Sequence, residues 1–399
     1  MRPGPWRRAA AGAGLLGSDG RPGTTVFAEM SALALAAGAI NLGQGFPDTD
    51  GPREVLDAAR EAIANGENQY PPGRGTDVLR RAIARHQQRW YGLTVDPDTE
   101  VLVTAGATEA LAAVLLAFVE EGDEVLTLEP AYDAYGALIG LARGVHRTVP
   151  VDWPGFRPDP QRLREAITDR TRVILLNTPH NPTGAVLDAE TLQVVVDAAA
   201  RHDCLIVTDE VYEHLLFDGV RHVPVATLPG AAERTITISS GGKTFSTTGW
   251  KIGWLTGPAP LVSAALAVKQ FLTFVNGAPF QPAIAAGLDL PDEVFAGIAG
   301  RLEGGREVLS AGLAEAGLPV SRPQAGYFVI ADGAALGFDD AAELCRRLPQ
   351  LAGVVGVPVS AFCRGEQAQR MRSLVRFAFC KSPEVLAEAS TRLVALRPR

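Results

Sequence analysis

Short apolar runs that alternate with helix-patterned segments constrain this chain more than any other feature. EVLVTAG (100–106) passes straight into ATEALAAVLLAFV, and EVLTLEP (124–130) precedes AYDAYGALIGLA. RVILLNTP (172–179) leads, after a turn, to AETLQVVVDAAARH, and CLIVTDEVY (204–212) and TITISS (235–240) extend the series. Strand, helix, strand at this spacing implies βαβ units, so the chain is predicted to be α/β with a mostly parallel, doubly wound sheet. A length of 399 residues is more than one core usually serves. The sheet is assigned to a large domain, 50–290. After about residue 290, long helical patterns alternate with YFVIAD and LVRFAFC. That texture predicts a smaller α+β domain, 291–399, joined by 24–49, which precedes the first sheet strand. Residues 1–23 carry arginines and a short, glycine-broken apolar run and are expected to form a disordered tail.

Bulk properties exclude several function classes. A formal net charge of -8 disfavours a phosphate backbone as partner, so no nucleic acid is expected. No run approaches the roughly 18 apolar residues of a membrane span, so no membrane partner is expected and a cytoplasmic location is the simplest expectation. The four cysteines form no C-x-x-C pair and the six histidines are scattered singly along the sequence. Neither a disulfide framework nor a metal site is suggested.

Ligands of open α/β sheets sit beyond the carboxyl ends of the strands. Those ends carry Gly106-Ala107-Thr108 at a helix start, Tyr132, His180-Asn181, Asp209 with Tyr212, and Ser240 with Lys243 and Lys251. One lysine can hold a carbonyl as a Schiff base. The other, with Ser240 and the helix start, can neutralise a phosphate. A buried Asp209 can pair with a ring N–H⁺, Asn181 and Tyr212 can bond a phenolate oxygen, and Tyr132 can cover a ring face. Together they describe a flat pyridine bearing an aldehyde, a phenolate and a phosphate, which is pyridoxal 5′-phosphate.

INLGQGFPD, NQYPPGRG, VLVTAGATEAL, NTPHNPTGAV, TDEVYEH, SSGGKTFSTTGWKIGW and LVRFAFCK, in this order, give the chain a clear likeness from about residue 24 onward. It resembles the class I aminotransferases of the fold type I pyridoxal-phosphate family. It is similar in particular to the subgroup of kynurenine, glutamine, methionine and N-succinyldiaminopimelate aminotransferases. The resemblance implies that Lys243 holds the cofactor and moves the proton between substrate Cα and cofactor C4′. It implies that Asp209 keeps the pyridinium charged, and that Asn181 and Tyr212 bond O3′ while Tyr132 stacks on the ring. Ala107, Thr108, Ser240 and Lys251 would bind the phosphate, and Tyr70 would reach the phosphate of a neighbouring subunit, implying a homodimer with shared active sites. Arg376 would clamp the substrate α-carboxylate, Gly45 would offer backbone beside it, and Phe27 would line the side-chain pocket. Lysine at position 251, where many class I enzymes carry arginine, is the kynurenine-type choice. FLTFVNGAPFQPA lacks the cation that aspartate-type enzymes place in the comparable segment.

The implied substrates are an L-amino acid and a 2-oxo acid such as 2-oxoglutarate. Three readings compete: an aminotransferase, a carbon–sulfur β-lyase acting on cysteine conjugates, and a non-catalytic regulator. The regulator ranks last because Lys243, Asp209 and Arg376 are all present. His180 is read as a plain loop residue. Glu210 is read as structural, because it should point to the strand face opposite Asp209.

Overall fold

The computed structural model describes residues 4–396. Its centre is a sheet of β1 (Val101–Ala105), β2 (Glu124–Glu129), β3 (Val145–Pro150), β4 (Thr171–Asn177), β5 (Leu205–Asp209), β6 (Thr235–Ser240) and β7 (Ile252–Thr256). The spatial order is β1-β7-β6-β5-β4-β2-β3, and β7 alone runs against its neighbours. This is the α/β, mostly parallel architecture predicted from the strand runs.

Two of these strands carried no signal in the sequence reading. β3 is an edge strand with one fully buried residue, so it lacks the continuous apolar run of its neighbours. β7 is entirely buried but follows directly on the small-residue segment that holds both lysines.

Alternation along the strands feeds two separate cores. Val125, Val173 and Val207 pack with Leu111 and Val114 on one face. Leu126, Ile174 and Ile206 pack with Leu192 and Val195 on the other. Each fully buried side chain of this kind contributes about 2 kcal/mol of apolar burial. Both faces are therefore covered, as a parallel sheet requires.

The helices that bear on the site are α1 (Trp6–Gly12), α2 (Val26–Ala37), α3 (Arg53–Ala64), α4 (Asp77–Tyr91), α5 (Gly106–Phe118) and α6 (Asp133–Leu141). Thr25 Oγ1 caps α2 by accepting the Ala28 N–H at 3.1 Å, and Gly38, at φ +60°, ends it. The chain then pairs Ile40–Asn41 in parallel with Val354–Val355. This pairing lays the loop 43–46 beside a second, antiparallel sheet of β8 (Phe328–Asp332), β9 (Val357–Pro358) and β10 (Leu374–Ala378), in the order β9-β10-β8.

The expectation of a disordered tail is corrected over its described part. α1 lies along α6, with Gly12 and Gly136 in backbone contact. A Cβ on Gly12 would sit 2.0 Å from the Gly136 carbonyl oxygen, and Arg364 donates to the Gly12 carbonyl. The glycines that suggested a broken segment are the points of closest approach. Residues 1–3 of that expectation lie outside the described residues. Among the described residues no helix is long and apolar enough to cross a membrane.

Candidate active site

A cavity of about 310 Å³ lies beyond the carboxyl ends of β1, β4, β5 and β6, and Phe328 and Arg376 of the small sheet close its far side. One end of it is built for an anion. β1 turns into α5 at Gly106, whose φ of +73° suits glycine, and no side chain caps the helix. The first N–H groups of α5 therefore lack side-chain partners. A Cβ at position 106 would also lie 3.1 Å from both Cε and Nζ of Lys251. Burial, then the nearby Lys243, lowers the Lys251 pKa. An anion placed here would relieve both effects.

The middle of the cavity holds an acid. Asp209 is buried at the end of β5, where Oδ2 accepts the Tyr135 hydroxyl at 2.7 Å. Among the described residues no lysine, arginine or histidine forms an ion pair with it, and burial pushes its carboxyl pKa up. Asn177 fixes the neighbouring loop: its Nδ2 donates to the Asp209 carbonyl at 2.8 Å and its Oδ1 accepts the Asn181 N–H at 2.7 Å.

Lys243 stands on the one-turn helix Gly241–Thr244 that follows β6. Its Nζ donates to the Tyr327 hydroxyl at 2.9 Å, and that hydroxyl donates to the Gly45 carbonyl at 2.7 Å. Tyr327 in turn meets the Tyr212 ring edge-on at 5.3 Å between centroids. A Cβ on Gly45 would lie 2.6 Å from the Tyr327 ring, so this close approach requires glycine.

The far wall carries a cation. Arg376, on β10, is 2% exposed and packs against Phe328 at 3.8 Å, Phe362 at 4.6 Å and Phe27 at 5.5 Å from the ring centroids. Its Nη1 donates to Asn181 Oδ1 at 3.0 Å and its Nη2 to the Gly43 carbonyl at 3.1 Å, while Nε has no partner. Burial lowers its pKa to about 10, and among the described residues no carboxylate is ion-paired with it. A buried guanidinium that faces this cavity with no carboxylate paired to it calls for an anionic ligand.

Phe27, Gly45, Ala107, Thr108, Tyr132, Asn181, Asp209, Tyr212, Ser240, Lys243, Lys251 and Arg376 all line this one cavity. Tyr70 does not: it is 83% exposed and its ring meets Phe274 at 5.7 Å. Glu210 turns away and bonds His222 at 2.7 Å. His180 bonds the Thr183 hydroxyl at 2.7 Å, and burial lowers its pKa to about 4. Sequence reasoning missed two contacts. Tyr135 lies three residues after Tyr132 at the start of α6, a spacing that was a usable signal. Tyr327 bonds Lys243 across 84 residues of chain, a contact with no local signal in the sequence.

Comparison with known proteins adds to this geometry. A sequence model of the family described as "Aminotransferase class I and II" matches residues 37–393. A probable N-succinyldiaminopimelate aminotransferase of Mycobacterium tuberculosis is 52% identical over 94% of this chain and 97% of its own. The solved structure of the N-succinyldiaminopimelate aminotransferase from that organism superposes with a TM-score of 0.91, covering 94% and 97% of the two chains. A methionine aminotransferase of Escherichia coli is 39% identical over 93% of this chain and 95% of its own. Its crystal structure gives a TM-score of 0.88, covering 93% and 96%.

Proposed function

The chain belongs to the class I and II aminotransferases, enzymes that work with pyridoxal 5′-phosphate, and on that premise we propose that it moves the amino group of an N-succinyldiaminopimelate-type L-amino acid to a 2-oxo acid such as 2-oxoglutarate. The observation that carries this reading is Arg376, a buried cation without an acid, facing the same cavity as the Lys243 amine. Every amino donor and oxo acceptor brings the carboxylate that Arg376 lacks. The names of the relatives are those of aminotransferases, which favours transfer over the carbon–sulfur β-lyase alternative.

The residues present fit the cofactor at three points. Lys251, Ser240 and the open start of α5 would hold its phosphate. Asp209, an acid buried without a cation, would take its ring N–H⁺, with Tyr135 fixing the carboxylate. Asn181 and Tyr212 would bond O3′, and Tyr132 would cover a ring face. When bound, the cofactor supplies an electron sink for the charge left when a proton departs from the substrate Cα.

Lys243 takes and returns that proton. The Tyr327 hydroxyl, anchored on Gly45, holds Nζ toward the cavity between transfers. Arg376 and Asn181 grip the α-carboxylate and so orient Cα toward Nζ. Phe27, Phe328 and Phe362 keep water from the guanidinium, which strengthens the grip.

The donor assignment rests on the 52% identical relative, and the cavity's charges bear only on aspartate. Among the described residues its lining cations are Lys243, Lys251 and Arg376, so none is left for the short distal carboxylate of aspartate. Methionine, glutamine and kynurenine remain the competing donors. Tyr70 and Phe271, which is 88% exposed, fit an interface with a second copy, where Tyr70 would reach the partner's phosphate. The test is a donor panel with 2-oxoglutarate, following glutamate formation. N-succinyldiaminopimelate should exceed methionine, glutamine and kynurenine in kcat/KM by at least about tenfold, the value of one well-made polar contact. A first rank for another donor would overturn the donor assignment. Steady pyruvate and ammonia release from a cysteine conjugate, without acceptor, would overturn transfer itself.

A further inference from the structure

The histidines that looked scattered along the sequence converge in space, outside the cavity described above. His86, on α4, and His214 meet Nε2 to Nε2 at 2.6 Å, their rings at 80° with centroids 4.9 Å apart. Glu213 lies beside them. One ligand atom from each of the three falls within 4.8 Å of the others, and all three residues are buried. Trp90 and Phe295 wall the group, with centroids 4.8 and 4.6 Å from the His214 ring.

Three further observations bear on what the cluster can hold. A second cavity, of about 460 Å³, opens onto Glu213 and His214 and so supplies an entry path. His222 lines the same cavity with its side chain 2% exposed, and its Nδ1 has no partner. Gln87 Oε1, next to His86 in the chain, is buried without a partner as well. A buried polar atom without a partner calls for one, and His222 Nδ1 is such an atom in a residue that lines this cavity.

We propose that His86, His214 and Glu213 form a binding site for a zinc-class divalent cation, with a fourth position open to the cavity. Two imidazoles and one carboxylate are a ligand set for such ions. Imidazole ligates in its neutral form, and both rings are buried with one ring nitrogen of each turned toward the other. Nitrogens bound to one tetrahedral zinc stand roughly 3.3 Å apart, so the pair, now at 2.6 Å, must part by about 0.7 Å. Glu213 already has an outer shell: its carboxylate accepts the Tyr91 hydroxyl at 2.6 Å and also the Ser239 hydroxyl. The ion would tie α4 to the segment after β5. Glu213 follows Tyr212 and its partner Ser239 precedes Ser240, so the site backs directly onto the wall of the active cavity.

The test uses untagged, cofactor-loaded full-length enzyme, stripped with a chelator and dialysed against zinc. About one zinc per chain should remain, with a raised melting temperature, and both should be lost in His86→Gln and His214→Gln. No zinc above the buffer level, or zinc retained by both variants, would overturn the proposal. Should a variant fail to fold, cobalt added to the wild-type enzyme decides. An intense visible band of a four-coordinate site supports the proposal, and its absence overturns it.

Discussion

Two arginines are buried to the same degree, 2% exposed, and they are treated in opposite ways. Arg306 is saturated. Its Nε bonds Glu307 at 3.0 Å, Nη1 bonds Asp218 and the Pro323 carbonyl at 2.8 Å each, and Nη2 bonds Asp218 again at 3.0 Å. Burial presses its pKa down, but the bonds to Asp218 and Glu307 outweigh that and raise it. Arg376 has two neutral acceptors, three phenyl rings and a bare Nε, and burial lowers it to about 10. A folded chain leaves a buried cation short of an acid only where something else brings the acid. Arg306 is therefore read as a stabiliser of the fold, and Arg376 as a receptor for a carboxylate.

The same substitution at both positions should separate the two roles. Arg376→Met should cut kcat/KM for every amino and oxo acid by about 10²- to 10⁴-fold, the cost of stranding a desolvated carboxylate. Its melting temperature should hold or rise, because an apolar side chain replaces an unpaired charge. Equal kinetics in that variant would break the comparison. Arg306→Met should do the reverse, losing about 2 kcal/mol of stability, seen as a lower urea midpoint, with kcat/KM unchanged. The loss is held to that size because Asp218 and Glu307 can hydrate once released.

A smaller effect belongs to pH. The bonds from Arg306 and then Arg322 hold the Asp218 carboxyl well below its ordinary range. Its folded pKa is depressed, so its contribution is complete above the usual carboxylate value and is lost as pH falls through the folded one. Asp218→Asn should cost about 1 kcal/mol at neutral pH and flatten the acid limb of the stability curve below about pH 4. An acid limb identical to that of the wild type would assign acid unfolding to other groups.

How much of this was legible in the sequence depends on distance along the chain. Strand ends announce themselves locally, so Ala107, Thr108, Asn181, Asp209, Ser240 and Lys243 could be assembled from adjacent residues and the strand-end rule alone. Arg376 could not. Only the resemblance pointed to a receptor, because what marks it is the missing acid in folded space. The bond from Tyr327 to Lys243 spans 84 residues and the meeting of His86 with His214 spans 128. Neither leaves a periodic trace. The N-terminal helix failed for another reason: glycine signals a breaker locally, yet Gly12 and Gly136 serve as a contact surface that exists only once α1 meets α6.

The most direct measurement is the affinity of the cofactor-loaded enzyme for 4-methylpentanoate, a carboxylate with no amine to react. Binding is read by calorimetry in wild type, Arg376→Met and Arg306→Met. The account predicts that affinity falls at least about a hundredfold in Arg376→Met and stays at the wild-type value in Arg306→Met. Undiminished binding in Arg376→Met would contradict it and place the carboxylate elsewhere in the cavity.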